Sequence, residues 1–428
     1  LSLLLSFLLP ALASRSPDCG GILTPAGLSY CKCRAFGSSN HQPGEIPDCH
    51  HRTQVESVSV TELSLALIPH SGLRLSITVD LGIITPALRA MRLSILSNLH
   101  VEMKSKGNLE MVSSACTTRL EETQSTEDVE SDSSGADVEK EINIDKICPE
   151  VSRLLLSPNE QLKSLTAQFP ITPTCQVQYL PLAAPIFSQQ GITISLQTRF
   201  QVMGLALPLP VSPVPFSMPE PATSSPSHLT LAFSKHFYTS LFVALEMSGA
   251  FNMTIPGMLP RNNFLPLPQQ MGSLFQEEQA VTLQVVFRSS PRVELEEDKA
   301  ALKLFLTVHV GTDEPAFQSF LSMNVSGGTW KSHITTCYQQ LLIFSLFSRK
   351  LELSLAASSV GSVQAALLEE LFLPTLRSEV LSRLNMVLSK GVFLPHISSF
   401  TYTDVSVVIH KVSTEIHKSL CLIEARSK

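Results

Sequence analysis

One pattern occurs twice in this chain of 428 residues, roughly 225 residues apart: an amphipathic helix, an apolar stop containing proline, then an extended apolar strand. The clearer copy begins at Gly361. There Val363, Leu367, Leu371, Leu376, Val380, Leu384 and Val387 recur at three-to-five-residue steps, with Glu369, Glu370, Arg377, Glu379 and Arg383 between them. Lys390-Gly391 closes it with a basic last turn and a glycine suited to a left-handed cap. VFLPHISS and the strand-like FTYTDVSVVIH follow from Phe400. The weaker copy runs through CPEVSRLLLSPNEQLKSLTAQ, FPITPT and CQVQYLPLAAPIF. A repeated helix-on-sheet unit predicts two similar α+β halves, each with its own core.

Hydrophobic residues make up 44% of the chain, aromatics only 6% and charged residues 16%, so Leu, Val, Ile and Ala carry most of the apolar mass. Such a chain can line apolar cavities. A net charge of −6 with no basic cluster argues against a nucleic-acid partner. Residues 1–13, LSLLLSFLLPALA, read as a signal peptide ending in a small-x-small site, which predicts a secreted, extracellular protein. The run is too short to span about 30 Å of hydrocarbon. Secretion permits disulfides, and nine cysteines leave at least one unpaired. Asn252 and Asn324 open two glycosylation sequons.

Along residues 55–105, Leu63, Leu65, Leu67, Leu73, Leu75, Ile77, Val79 and Leu81 alternate with polar neighbours, as half-buried antiparallel strands require. Between Glu121 and Glu150 eleven acidic residues face two lysines, so residues 121–147 read as a solvated acidic loop. Residues 205–227 carry seven prolines and no glycine, an extended linker. These markers divide the chain into residues 14–204, the linker, and 228–428. The second part reads as the strand LTLAF, the helix SKHFYTSLFVALEMSG, strands from Val281, Ala301 and Leu351, a long helix and a last strand.

From about residue 55 to 417 the chain resembles the BPI/LBP/PLUNC family, the bactericidal/permeability-increasing and lipopolysaccharide-binding proteins. The resemblance rests on SKHFYTSLFVALEMSGAFNMTI, on the Gly361–Lys390 helix with GVFLP, on APIF after the first long helix, and on a cysteine pair. The opening PDCGGILTPAGLSY looks most like an avian egg-white member. The resemblance implies two domains, each a curved antiparallel sheet tube wrapped by long helices, meeting at a shared central sheet in an elongated molecule. It implies a disulfide between Cys116 and Cys148. It also implies an apolar pocket per domain for a phospholipid or other acyl lipid, with Leu154, Leu155, Leu162, Leu165, Leu367, Leu371, Phe372, Val380 and Leu384 as lining candidates. Innate-defence and antibacterial roles, a monomeric state and peripheral membrane contact are further family expectations. The acid-rich first half leaves only weak lipopolysaccharide binding. One departure stands out: in the family a long amphipathic helix follows the GLxY element. Residues 31–52, CKCRAFGSSNHQPGEIPDCHHR, hold four Gly and Pro and are expected to form no such helix. Either one wall of the first pocket is lost or the gene model is mis-spliced there. Lipid is therefore expected first in the second half, which keeps both helical walls.

No nucleophile elbow, zinc-protease motif, phosphate-cradling loop or paired catalytic acids occur, so no catalytic residue and no cofactor are assigned. Cys31, Cys33, Cys49, His50 and His51 lack the two-to-four-residue cysteine spacing of a zinc site, and no metal is assigned. The reading is a secreted lipid-binding protein; the alternatives are an egg-white or mucosal storage protein with vestigial pockets and a lipopolysaccharide-binding antibacterial protein.

Overall fold

The computed structural model describes residues 16–36, 54–84, 88–104, 107–122, 147–207, 216–218, 227–256, 281–312, 316–327, 330–335, 341–348, 351–359, 361, 363–396 and 400–422. The first part holds β1 (Cys19–Leu23), α1 (Pro25–Phe36), β2 (Gln54–Ile68), β3 (Gly72–Ile84), β4 (Leu88–Met103), β5 (Leu109–Glu122), α2 (Ile147–Leu154) and α3 (Leu156–Lys163). It continues through β6 (Gln168–Thr172), β7 (Cys175–Pro181), β8 (Ile186–Ser188), β9 (Gly191–Val202) and β10 (Leu205–Ala206). The second part holds β11 (Leu229–Ser234), α4 (Lys235–Met247), β12 (Met253–Ile255), β13 (Val281–Glu296), β14 (Lys299–Thr312), β15 (Gln318–Gly327), β16 (Trp330–Thr335), β17 (Leu341–Ser348) and β18 (Leu351–Ser358). After α5 (Ala365–Thr375) and α6 (Leu381–Leu388) come β19 (Val392–Phe393), β20 (Phe400–Ile409) and β21 (Ser413–Leu422). The α+β character expected from the sequence is what the chain forms.

Every strand pair among the described residues is antiparallel, and three sheets result. β2-β3-β4-β5 form an N-terminal sheet, and β12 to β19 a C-terminal one. Between them lies a central sheet of order β20-β21-β11-β1-β9-β7-β6, to which both ends of the chain contribute. At its middle β1 pairs with β11 about Gly21 and Leu231, flanked by β9 and β21 respectively. A helix leaves each middle strand in the same way. Thr24 Oγ1 accepts from the Gly27 N–H (3.1 Å) at the start of α1, and Ser234 Oγ accepts from the Phe237 N–H (3.3 Å) at the start of α4. α1 then packs on β21 and α4 on β9. The two units are thus related residue for residue at an offset of 210 (234 − 24 and 237 − 27).

Two expectations about helices change. α1 runs through Phe36, so the helix after Leu28 and Tyr30 does form over residues 31–36; Gly37 is the first breaker, and residues 37–53 lie outside the described residues. The long helices are also broken. α2 and α3 part at Leu155, because Pro158 lacks the N–H that Leu154 O would accept and its ring crowds that carbonyl. Pro374 sits inside α5, and the chain passes through a π turn at Leu376–Val380 before α6. That turn has a counterpart in the sheet: β14 carries β15–β18 along Phe305–Thr312 and β16–β17 along Ala300–Leu302. α5 packs on β18 and α6 on β17, so the helix bends where the strands divide. Gly391, at φ +71°, ends the helix as its place after Lys390 predicts.

Most of the proline-rich stretch lies outside the described residues, but residues 216–218 cross β1: a Cβ on Gly20 would lie 2.5 Å from Met218 Sδ. Glycine is what that approach allows.

Candidate functional site

The two outer sheets use their inner faces differently. In the N-terminal sheet, Leu73, Leu75, Val79 and Leu81 of β3 and Met91, Leu93, Ile95 and Leu99 of β4 are buried in one cluster, covered by Leu28, Val151, Leu155 and Phe187. α2 is held across this face by the Cys116–Cys148 disulfide, Cα–Cα 5.8 Å. α3 is held by Asn159, whose side chain accepts from Met111 N–H (2.7 Å) and donates to Met111 O (3.0 Å), standing in for a further strand at the β5 edge. The cover reaches β2 only in part, where α1 and β8 lie against it. Val58 and Val60 stand in register with the buried Leu81 and Val79, so they belong to the same inner row, yet each is 60% exposed. Leu63, Leu65 and Leu67 are only partly buried. Among the described residues the inner row of β2 is thus left apolar and open at Val58 and Val60.

In the C-terminal sheet the inner face is filled. Phe233, Phe237, Tyr238, Phe242, Phe251, Phe287 and Phe344 form a chain of ring contacts with centroids 4.7 to 6.4 Å apart. Leu368, Phe372, Leu376, Val380, Leu384 and Leu388 seal it from the α5–α6 side. Among the described residues a cavity of about 10 Å³ is bordered by Tyr238, Phe242, Leu302 and Phe344, room for about one water molecule.

The lining candidates fall accordingly. Leu155 is buried in the N-terminal cluster, Leu162 and Leu165 are half-buried, and the Leu154 side chain lies outside those described. Leu371, Phe372, Val380 and Leu384 are buried in the C-terminal core with Leu367 packed against it, and none of these five borders the remaining cavity. Asn252 is exposed on the turn after α4; Asn324 lies mid-sheet on β15, its Oδ1 accepting from Thr307 (3.2 Å). The acidic stretch begins as strand and not loop, since Glu121 and Glu122 close β5 and Glu121 pairs with Arg119 at 3.0 Å; residues 123–146, the signal-like N-terminus and the Cys31–His51 cluster lie wholly or in their side chains outside the described residues. Among those residues no group of three His, Cys, Asp or Glu could hold a metal, and no helix is long and apolar enough to cross a membrane.

The sequence reading missed a polar seam beneath the central sheet. Asp18 is buried and takes the N–H (2.8 Å) and hydroxyl of Thr198. Lys418 is fully buried with Nζ 3.8 Å from the centre of the Tyr402 ring. Tyr402 donates to Pro395 O (2.6 Å) and Tyr179 to Phe393 O (2.7 Å), so two tyrosines pin the segment after α6. Burial pushes the Tyr179 hydroxyl and the Cys19 thiol well up, pushes the Cys175 thiol up to about 11, and pulls the His396 imidazole down. Polar residues on alternating strands carry no sign of facing inward; only the fold brings them together.

Residues 171–418 match the LBP / BPI / CETP family, C-terminal domain. The chain is 50% identical to Protein TENP of Gallus gallus over 425 residues, 95% of this chain and 96% of that protein. It is 24% identical to BPI fold-containing family B member 2 of Mus musculus, over 84% of this chain and 82% of that one. The crystal structure of lipopolysaccharide binding protein superposes with a TM-score of 0.54 at 16% identity, covering 95% of this chain and 99% of that one; this likeness concerns the fold. A match over more than half of the chain, together with a relative half identical along nearly its whole length, means that the chain belongs to the LBP/BPI/CETP family.

Proposed function

We propose that this is a secreted, non-catalytic lipid-binding protein of the innate-defence type, which holds the acyl chains of a phospholipid or related lipid against the inner face of its N-terminal sheet. The division into residues 14–204, a linker and 228–428, with a signal peptide ahead, is part of this reading. The observation that carries it is the strip at Val58 and Val60: inner-row side chains beside a buried cluster, each 60% exposed. Covering such a strip with a lipid chain is worth about 0.8 kcal/mol per methylene against water, and almost nothing against a bilayer that already buries the chain. A carrier or scavenger fits that balance better than a protein that strips membranes.

The structural relative named for lipopolysaccharide binding extends the reading to that ligand. The net charge of −6 weighs against tight binding of a phosphorylated glycolipid. A storage role remains the second reading, favoured by the filled C-terminal face. The test is native purification followed by solvent extraction and mass spectrometry, with uptake of a fluorescent phosphatidylcholine in parallel. Stoichiometric lipid and saturable uptake support the carrier; neither lipid nor uptake supports storage. Retention on immobilised lipopolysaccharide at physiological salt would show the charge argument to be wrong.

A further inference from the structure

The offset of 210 allows the two opening helices to be compared position by position. In α4, Phe237, Tyr238, Leu241, Phe242 and Leu245 are buried and fill the C-terminal inner face. The corresponding positions of α1 are Gly27, Leu28, Cys31, Lys32 and Ala35 (237 − 210 through 245 − 210). Three aromatic rings have no counterpart in the first unit. Ring partners outside the helix, Phe251, Phe287 and Phe344, extend the same stack across the C-terminal face. The space left beside it, about 10 Å³, compares with roughly 300–1,000 Å³ for pockets that hold organic ligands.

From this we infer that the chain has one lipid site and not two: the aromatic plug of Phe237, Tyr238, Phe242 and Phe344 occupies the second site and decides its specificity against any acyl ligand. The inference rests on the reading of the N-terminal face given above. It reverses the expectation that lipid would be found first in the second half. That expectation rested on the presence of both helices as walls, and the structure places the apolar side chains of both in one buried cluster. Tyr238 ties the plug down, because its hydroxyl is hydrogen-bonded to the buried Thr414 of β21. A ligand cannot displace the Tyr238 ring without also breaking that bond to the central sheet.

The experiment counts phospholipids per chain by native mass spectrometry after loading with phosphatidylcholine, on the full chain and on two variants. The wild type is expected to take one equivalent. V58E/V60E places charge on side chains already 60% exposed, so it should fold normally and take none. F242A/F344A removes two buried rings; truncations of this kind leave dry apolar cavities of about 150 Å³ each, which together reach the lower range of ligand pockets. It is expected to take a second equivalent, and F242A alone with a short-chain phosphatidylcholine serves if the double variant does not fold. Two equivalents in the wild type would overturn the single site while leaving lipid binding intact. One equivalent retained by V58E/V60E would do the same for its location, and no second equivalent in a folded plug variant would remove the role of the rings. No lipid in any form would sink the carrier reading and this inference with it.

Discussion

Val60 and Phe242 are both apolar side chains on the inner side of a sheet, and they mark opposite uses of that surface. Phe242 is 4% exposed among other rings, so truncation to Ala should cost about 3–5 kcal/mol through lost burial and a residual cavity. Val60 is 60% exposed, and V60A should lie within about 0.5 kcal/mol of the wild type. Denaturant unfolding of the two variants checks the contrast; similar losses would mean that Val60 is covered in solution. The buried thiols give a second residue-level expectation. Cys19 and Cys175 are fully buried with pKa values raised by burial, that of Cys175 to about 11. Neither should react with Ellman's reagent at pH 8 unless the chain is unfolded. A thiol holds its proton more tightly here than in the unfolded chain, where its pKa is about 8.5. Stability should therefore fall as pH rises from about 9 to 11, and a flat profile over that window would contradict the assignment.

At the level of elements, the account turns on what holds helices over the N-terminal sheet. The Cys116–Cys148 link spans 32 residues and should add about 3–4 kcal/mol by restricting the unfolded chain. C116A/C148A should lower the unfolding midpoint accordingly, and an unchanged midpoint would show that α2 stays docked by packing alone. Much of this layer was legible in the sequence. The period-two run at Leu73–Leu81, the strand LTLAF and the helix from Ser234 fall where alternation and capping put them. Three features were not legible. Pro158 and Pro374 were read through, because the apolar spacing continues on both sides of each break and the side chains stay in phase. The stop of α1 falls at Gly37 and not at Cys31, because the Gly and Pro that break a helix all lie from Gly37 onward. The plug residues read as a helical wall in the sequence, because periodicity reports which face is buried and not how far the side chains reach across.

For the whole molecule, a repeated unit has become two unequal ones. The central sheet is built from both, and β1 and β11 share its axis, so the outer sheets need not do the same work. The C-terminal face, with its continuous aromatic stack, supplies a filled core. The N-terminal face is left partly uncovered on its inner side at β2, an expensive surface to keep open in water unless something occupies it. The most direct measurement is photocrosslinking of the intact chain with a phosphatidylcholine carrying a diazirine in its acyl chain, followed by peptide mapping. The account predicts label in residues 54–103, competed away by unlabelled lipid and absent from V58E/V60E. Competable label concentrated in residues 281–312 or 341–348, or none at all, would contradict it.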